Sequence, residues 1–157
     1  MTPRVRRAGA DDAALFSSLN TDVQALHATA LPFRFKMPTA EVFPPAEAGA
    51  LLNNPSTLAF IAEIGTSPAG YAYAERMALP ETSFRHAYEM IYIHHVSVRP
   101  SFRRQGVGTA LLAAVRAAAN DAGLTLIALD VWTFNDEARA FFVRNGFAAY
   151  SERLWNR

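Results

Sequence analysis

The chain has no cysteine among its 157 residues. A disulfide framework, a thiolate metal site and a cysteine nucleophile are therefore excluded. Lysine is almost as scarce. Lys36 is the only one, and arginine carries the rest of the positive charge. The formal net charge is +1, too small for a general nucleic-acid binder. No apolar run is long enough to span a bilayer. The opening "MTPRVRRAGADDAALF" holds no apolar core of signal-peptide length. Internal repeats and low-complexity tracts are also missing. The expectation is a cytoplasmic protein with neither a membrane nor a nucleic-acid partner. The length and the 51% hydrophobic content suit a single domain over residues 1–157 with a substantial core.

What is present reads as alternating strands and helices. "RVRRA" is a short first strand. "ADDAALFSSLNTDVQALHA" places Leu15, Leu19, Val23 and Leu26 at helical spacing, with Asp11 or Asp12 at the cap. Residues 30–55 interleave prolines with Phe33, Phe35 and Phe43, and allow a turn or two of helix around Ala46–Leu52. "TLAFIAEI" and "GYAYAER" form a hairpin across "GTSPAG". "MIYIHHVSV", Met90 to Val98, is a β-branched and aromatic strand ended by Pro100. "VGTALLAAVRAAANDAG" is a helix with Val107, Leu111, Val115, Ala118 and Ala122 on one face. "LTLIALDVW" reads as a strand buried on both faces, "NDEARAFFVRNG" as a short helix and "FAAYSERLW" as a last strand. Hairpins combined with one strand–helix–strand crossover predict a mixed sheet rather than a doubly wound one.

The chemistry centres on "RRQGVGTALL", Arg103 to Leu112. The first turn of a helix leaves backbone N–H groups without intrahelical partners, at the positive end of its dipole. An anion is favoured there. Gly106 and Gly108 remove the Cβ atoms that would hold it away, and Arg103 and Arg104 add formal charge. The missing lysine is informative again. A P-loop needs Gly-Lys-Ser/Thr, and here Thr109 follows Gly108 directly. A dinucleotide fingerprint needs a third glycine where Leu111 stands. A plain glycine turn into a helix remains the competing reading.

In context, "VSVRPSFRRQGVGTALL" resembles the acyl-CoA loop of the GNAT superfamily of N-acetyltransferases, with Arg103, Gly106 and Gly108 in its defining positions. "LHATALP" with "FRFKMP" looks like a subset of bacterial members. "NDEARAFFVRNGF" resembles the later motif of the family through Asn135, Ala138, Phe141, Phe142, Gly146 and Phe147. The resemblance implies the GNAT acyl-CoA N-acyltransferase fold, an α+β fold in α/β/α layers with a mixed, mostly antiparallel sheet of six to seven strands flanked by helices, and acetyl-CoA as cosubstrate, with no metal. It implies that backbone N–H groups of Arg104, Gln105, Gly106, Val107, Gly108 and Thr109, beside Arg103, hold the pyrophosphate. Val96 and Val98 would pair with the pantetheine arm like an added strand. Asn135 would hydrogen-bond the cofactor and Phe142 would pack near its sulfur. Asn135 is equally placed to cap a helix, and Phe142 to be core.

Transfer to an amine needs a base, an oxyanion donor and a leaving thiolate. By resemblance, Val96 N–H is the oxyanion donor. His94 and His95 lie on opposite faces of a regular strand, so one of them faces the cleft. Glu75 and Glu89 are rival bases. The family's usual tyrosine acid is replaced by Phe142, which has no proton to give, and Tyr150 is a substitute candidate. The acceptor site is expected between residues 30–55 and 80–89, with Phe33, Phe35, Phe43, Tyr73, Tyr92 and Trp132 as candidate walls. The expected partner is an amine-bearing small molecule or peptide. Homodimerisation stays open, as does the alternative of an acyl-CoA-binding or sensing module with little or no transferase activity.

Overall fold

A turn at Gly65 and Thr66 folds one strand, β2 (Thr57–Ile64), back onto the next, β3 (Ser67–Leu79). In this computed structural model, which describes residues 1–157, the turn lies inside "GTSPAG" and β3 already contains Pro68. β1 (Arg4–Arg7) lies antiparallel to β2, and β4 (Tyr88–Val98) antiparallel to β3. β5 (Ile127–Leu129) runs parallel to β4, so the sheet is mixed, in the order β1-β2-β3-β4-β5. It has five strands rather than six or seven.

Two helical layers cover the sheet. On one face lies α4 (Val107–Asp121), which buries Val107, Leu111, Leu112, Val115 and Ala119 against Ala62, Ala72, Ala74, Ile91 and Ile93. Small side chains on β2 and β3 let this helix approach closely. The other face carries α1 (Ala13–Leu19), α2 (Thr21–Ala30) and α3 (Pro45–Leu52). There Phe16, Leu19 and Ala48 pack on Ile61 and Tyr71. β2 is therefore buried along most of its length, as a strand covered on both sides must be. Arg6 ties the edge together through a bidentate pair with Asp12 and a contact to Glu63. Asp12 does not cap α1; the Arg6 pairing, with a second bond accepted from Gly9 N–H at 2.9 Å, occupies its carboxyl and holds it below the usual range. No helix is long and apolar enough to cross a membrane.

Three expected elements differ. The single helix over residues 10–28 is divided at Asn20, whose side chain turns inward to Tyr71. The strand expected over Leu124–Trp132 pairs only from Ile127 to Leu129. Beyond Leu129 the chain turns away, and Trp132 stacks on Phe134 rather than extending the ladder. "FAAYSERLW" forms no strand. Its end is held by rings: Trp155 lies against Phe33 and Trp132, and the Arg157 guanidinium sits 3.8 Å from the Phe33 ring centre. α5 (Asp136–Arg144) lies between these two segments, as expected.

Candidate active site

The loop between β4 and α4 presents six consecutive backbone N–H groups, from Arg104 to Thr109, with no acceptor in the protein. The nearest backbone bonds on either side are Arg103 N–H to Pro100 and Ala110 N–H to Gly106. Two residues in this loop, Arg104 (φ +60°) and Gly106 (φ +79°), adopt left-handed conformations. At Gly106 a Cβ would meet nothing within 4 Å, so the glycine supplies conformation and leaves open space. Gly108 carries a second constraint. A Cβ there would lie 2.9 Å from Phe141 Cζ. Its missing side chain therefore also makes room for the Phe141 ring of α5.

The arginines divide their work. Arg103 Nε reaches the Val98 carbonyl at 3.4 Å, and its Nη1 lies 3.7 Å from Glu137. It braces the end of β4 against α5. Arg104 has no acidic partner, and Gln105 donates to the Ser101 carbonyl.

Beside the loop, β4 has a free edge. The Arg99 N–H bonds to the Ala69 carbonyl directly opposite, which sets the hydrogen-bonding phase toward β3 as residues 99, 97 and 95. Backbone groups of Val96 and Val98 therefore point the other way. On that side β5 has already left the ladder after Ile93. The result is a wedge whose β4 wall carries unpartnered peptide groups. A cleft of about 500 Å³ opens here, lined by Val96, Val98, the glycine loop, Asn135 and Phe142. α2 supplies its far wall through Asp22, Val23 and Leu26, a contribution the sequence reading missed. Leu26, apolar yet 43% exposed, is the signal that could have found it.

Asn135 caps α5, its Oδ1 accepting from Ala138 N–H at 3.1 Å, and Nδ2 remains free on the cleft side. Phe142 packs between Phe141 and Phe147 while touching the cleft.

The histidines correct an expectation. Pairing passes from Tyr73–His95 to Ala74–Ile93, so His94 is the extra residue of a β-bulge. A bulge shifts the side-chain alternation by one. His94 and His95 consequently share a face, and Tyr73 touches both, at 4.5 Å and 5.8 Å between ring centres.

Their environments are opposite. His94 is partly exposed, stacked on Tyr73, edged by Tyr92, and 3.0 Å from Glu75 through Nε2. His95 is half-buried, with Nδ1 3.0 Å from the Tyr71 hydroxyl. Burial, reinforced by neighbouring His94 and His27, lowers its pKa to about 4. His27 is an addition to the site that the sequence reading did not make. It comes from α2, sits between Phe35 and Phe134, and is also held neutral-favouring by burial. The aromatic wall continues through Phe35 and Trp132, with the Arg34 guanidinium 4.9 Å from the Trp132 ring centre.

Other candidates lie elsewhere. Phe43 packs on Phe16 in the core. Glu89 pairs with Arg76 on the β3–β4 arm, and Tyr150 is 85% exposed. Tyr92, by contrast, stays beside His94; it donates to Asp130 at 2.6 Å, and its hydroxyl is pushed up chiefly by burial.

Comparison with known proteins gives these features a family. The model of the acetyltransferase (GNAT) family matches residues 21–147. Among solved structures, a tetramutant of the BH1408 protein from Bacillus halodurans has a TM-score of 0.91 at 18% identity, covering 98% of this chain and 99% of that one. The aminoglycoside N-acetyltransferase AAC(6')-Iy in complex with CoA gives a TM-score of 0.75 at 19% identity, covering 99% and 93%. An aminoglycoside acetyltransferase from an uncultured soil metagenomic sample, in complex with sisomicin, gives 0.71 at 18% identity, covering 99% and 94%. At these identities the likeness is one of fold. A search of curated proteins found no match.

Proposed function

The chain belongs to the GNAT acetyltransferase family, and from that premise we propose that it transfers an acetyl group from acetyl-CoA to the amine of a small molecule or peptide. The observation that carries this reading is one juxtaposition. Six unbonded N–H groups at the start of α4 adjoin a β4 edge on which the Val96 backbone groups and the Val98 N–H have no protein partner, while the Val98 carbonyl meets only Arg103 Nε at 3.4 Å.

These residues fit the cosubstrate. The loop N–H groups and Arg104 suit a pyrophosphate, and Gly106 leaves room for it. Val96 and Val98 suit the amides of an extended arm, by strand addition. Asn135 Nδ2 and the Phe142 ring suit its inner end. Acetyl-CoA supplies the activated thioester, and the chain's own residues do the rest. Val96 N–H, fixed in the strand, is a ready donor to a developing oxyanion.

The base is His94. Its Nε2–H donates to Glu75, which leaves Nδ1 as the proton acceptor and holds the ring in place. An acceptor amine, with a pKa near ~10, needs such a group to reach its neutral form. The acceptor lies on the Tyr73–His94 face, against the wall formed by Phe35, Trp132 and His27.

A second reading, an acyl-CoA-binding module without efficient transfer, is favoured by Phe142, which offers no hydroxyl to a leaving thiolate. Free-thiol release from acetyl-CoA across a panel of amines and N-terminal peptides separates the two. Amine-dependent thiol release supports the transferase. Tight acetyl-CoA binding with no release for any acceptor supports the module.

A further inference from the structure

Asn20, Tyr71 and His95 form a line of hydrogen bonds that crosses the sheet from the α1–α2 junction to the bulge in β4. Asn20 Nδ2 donates to the Tyr71 hydroxyl at 2.9 Å, and that oxygen lies 3.0 Å from His95 Nδ1. Tyr71 is fully buried and makes no third polar contact. Its hydroxyl has one proton to give. Asn20 occupies a lone pair of the oxygen, so the only acceptor left for that proton is Nδ1. The opposite polarity, with Nδ1–H donating to an oxygen that already accepts from Asn20, strands the tyrosine proton in the core.

The other ring nitrogen has a different position. His95 Nε2 has no protein partner, and it is not among atoms sealed from solvent. The ring itself lies on the side of the sheet where His94, Tyr73 and His27 gather. We propose that Tyr71, held by Asn20, fixes His95 in its Nε2–H tautomer, so that His95 is a hydrogen-bond donor to the acceptor molecule. The proposal rests on the transferase reading for its acceptor, but the tautomer is a property of the free protein.

Several groups face His95. They are His94 on its own strand, Tyr71 and Tyr73 from β3, and His27 from α2, with Asn20 behind Tyr71. No carboxylate is among its charged neighbours, so nothing there stabilises an imidazolium. At neutral pH the ring is uncharged, and the direction of the relay decides which nitrogen bears the proton. The bulge thereby gives adjacent histidines complementary duties. His94 presents a lone pair, its Nε2 proton tied to Glu75, and His95 presents a proton, its Nδ1 lone pair tied to Tyr71.

Long-range ¹H–¹⁵N NMR of the histidine rings in the full chain at pH 7 reads the tautomer directly. The wild-type protein is expected to show His95 as a single Nε2–H form. Tyr71→Phe is expected to release it into a mixture of both tautomers. In steady-state assays the same variant should lower kcat/KM for the acceptor about fivefold to tenfold while leaving acetyl-CoA affinity unchanged. A wild-type Nδ1–H form overturns the proposal, as does a pure Nε2–H form that persists in Tyr71→Phe. The wild-type Nδ1–H outcome overturns the proposal even if the variant fails to fold. The base assignment fails separately: it falls if His94→Ala leaves the rate unchanged, whatever the His95 spectrum shows.

Discussion

His94 Nε2 lies 3.0 Å from Glu75 Oε2, and the Tyr73 ring stacks on the same imidazole at 4.5 Å between centres, 14° from parallel. The ring is thus oriented by one contact and clamped by another. His94→Ala is expected to lower kcat by roughly 10²–10⁴-fold, the range of a positioned general base, and to abolish the corresponding limb of the pH–rate profile. Glu75→Gln keeps a hydrogen-bonding group but not the charge, and should cost about tenfold. Acetyl-CoA affinity, measured by calorimetry, should be unchanged in both.

The two loop glycines should fail in different ways. Gly106→Ala meets no atoms but must hold a left-handed backbone, which costs about 1–2 kcal/mol for a residue with a Cβ. Its main effect should be weaker acetyl-CoA binding as the loop N–H groups lose alignment. Gly108→Ala drives a Cβ into the Phe141 ring and should lower stability by about 1–3 kcal/mol. Pairing Gly108→Ala with Phe141→Leu should recover much of that loss in denaturant unfolding.

Asn135 holds a helix cap with Oδ1 and offers Nδ2 to the cleft. Asn135→Asp retains the cap and removes the donor. Stability should stay within about 0.5 kcal/mol of wild type, while acetyl-CoA binding weakens about tenfold. Asn135→Ala should lower both, with roughly 1 kcal/mol lost from the cap. Thermal unfolding beside calorimetric titration distinguishes them.

His95 makes folding sensitive to mild acid. Its pKa falls from 6.5 to about 4 on folding, so between those values the unfolded chain binds more protons than the native one. Stability is therefore full above about pH 6.5 and declines as pH falls toward about 4, by about 3 kcal/mol. His27, shifted in the same direction, adds to this decline. Urea unfolding at pH 7 and pH 4.5 should show the loss, and His95→Gln should reduce it.

The loop before α4 was written more plainly in the chain than the histidine pair of β4. Glycines before an apolar helical pattern, a strand ended by Pro100 and the Asn135 cap are local signals, and each formed where its residues predicted. The histidine pair was not legible. A bulge depends on how Tyr73 and Ala74 register against β4, and no periodicity in "YIHHV" reveals the extra residue. That Gly108 also makes room for a ring was not legible, because its neighbour, Phe141, is distant in sequence. The final "FAAYSERLW" has strand-like composition, but β5 is too short to offer it a ladder, and its Trp155 finds Phe33 and Trp132 instead.

The central claim is that the Arg104–Thr109 loop and the open edge of β4 form one site for acetyl-CoA. Isothermal titration with acetyl-CoA, beside ATP as a second phosphate ligand, tests it most directly. The predicted result is saturable one-to-one binding of acetyl-CoA in the range of about 1 μM to 1 mM, at least about tenfold tighter than ATP because only acetyl-CoA has an arm to pair with Val96 and Val98. No binding, or equal affinity for both ligands, would contradict it.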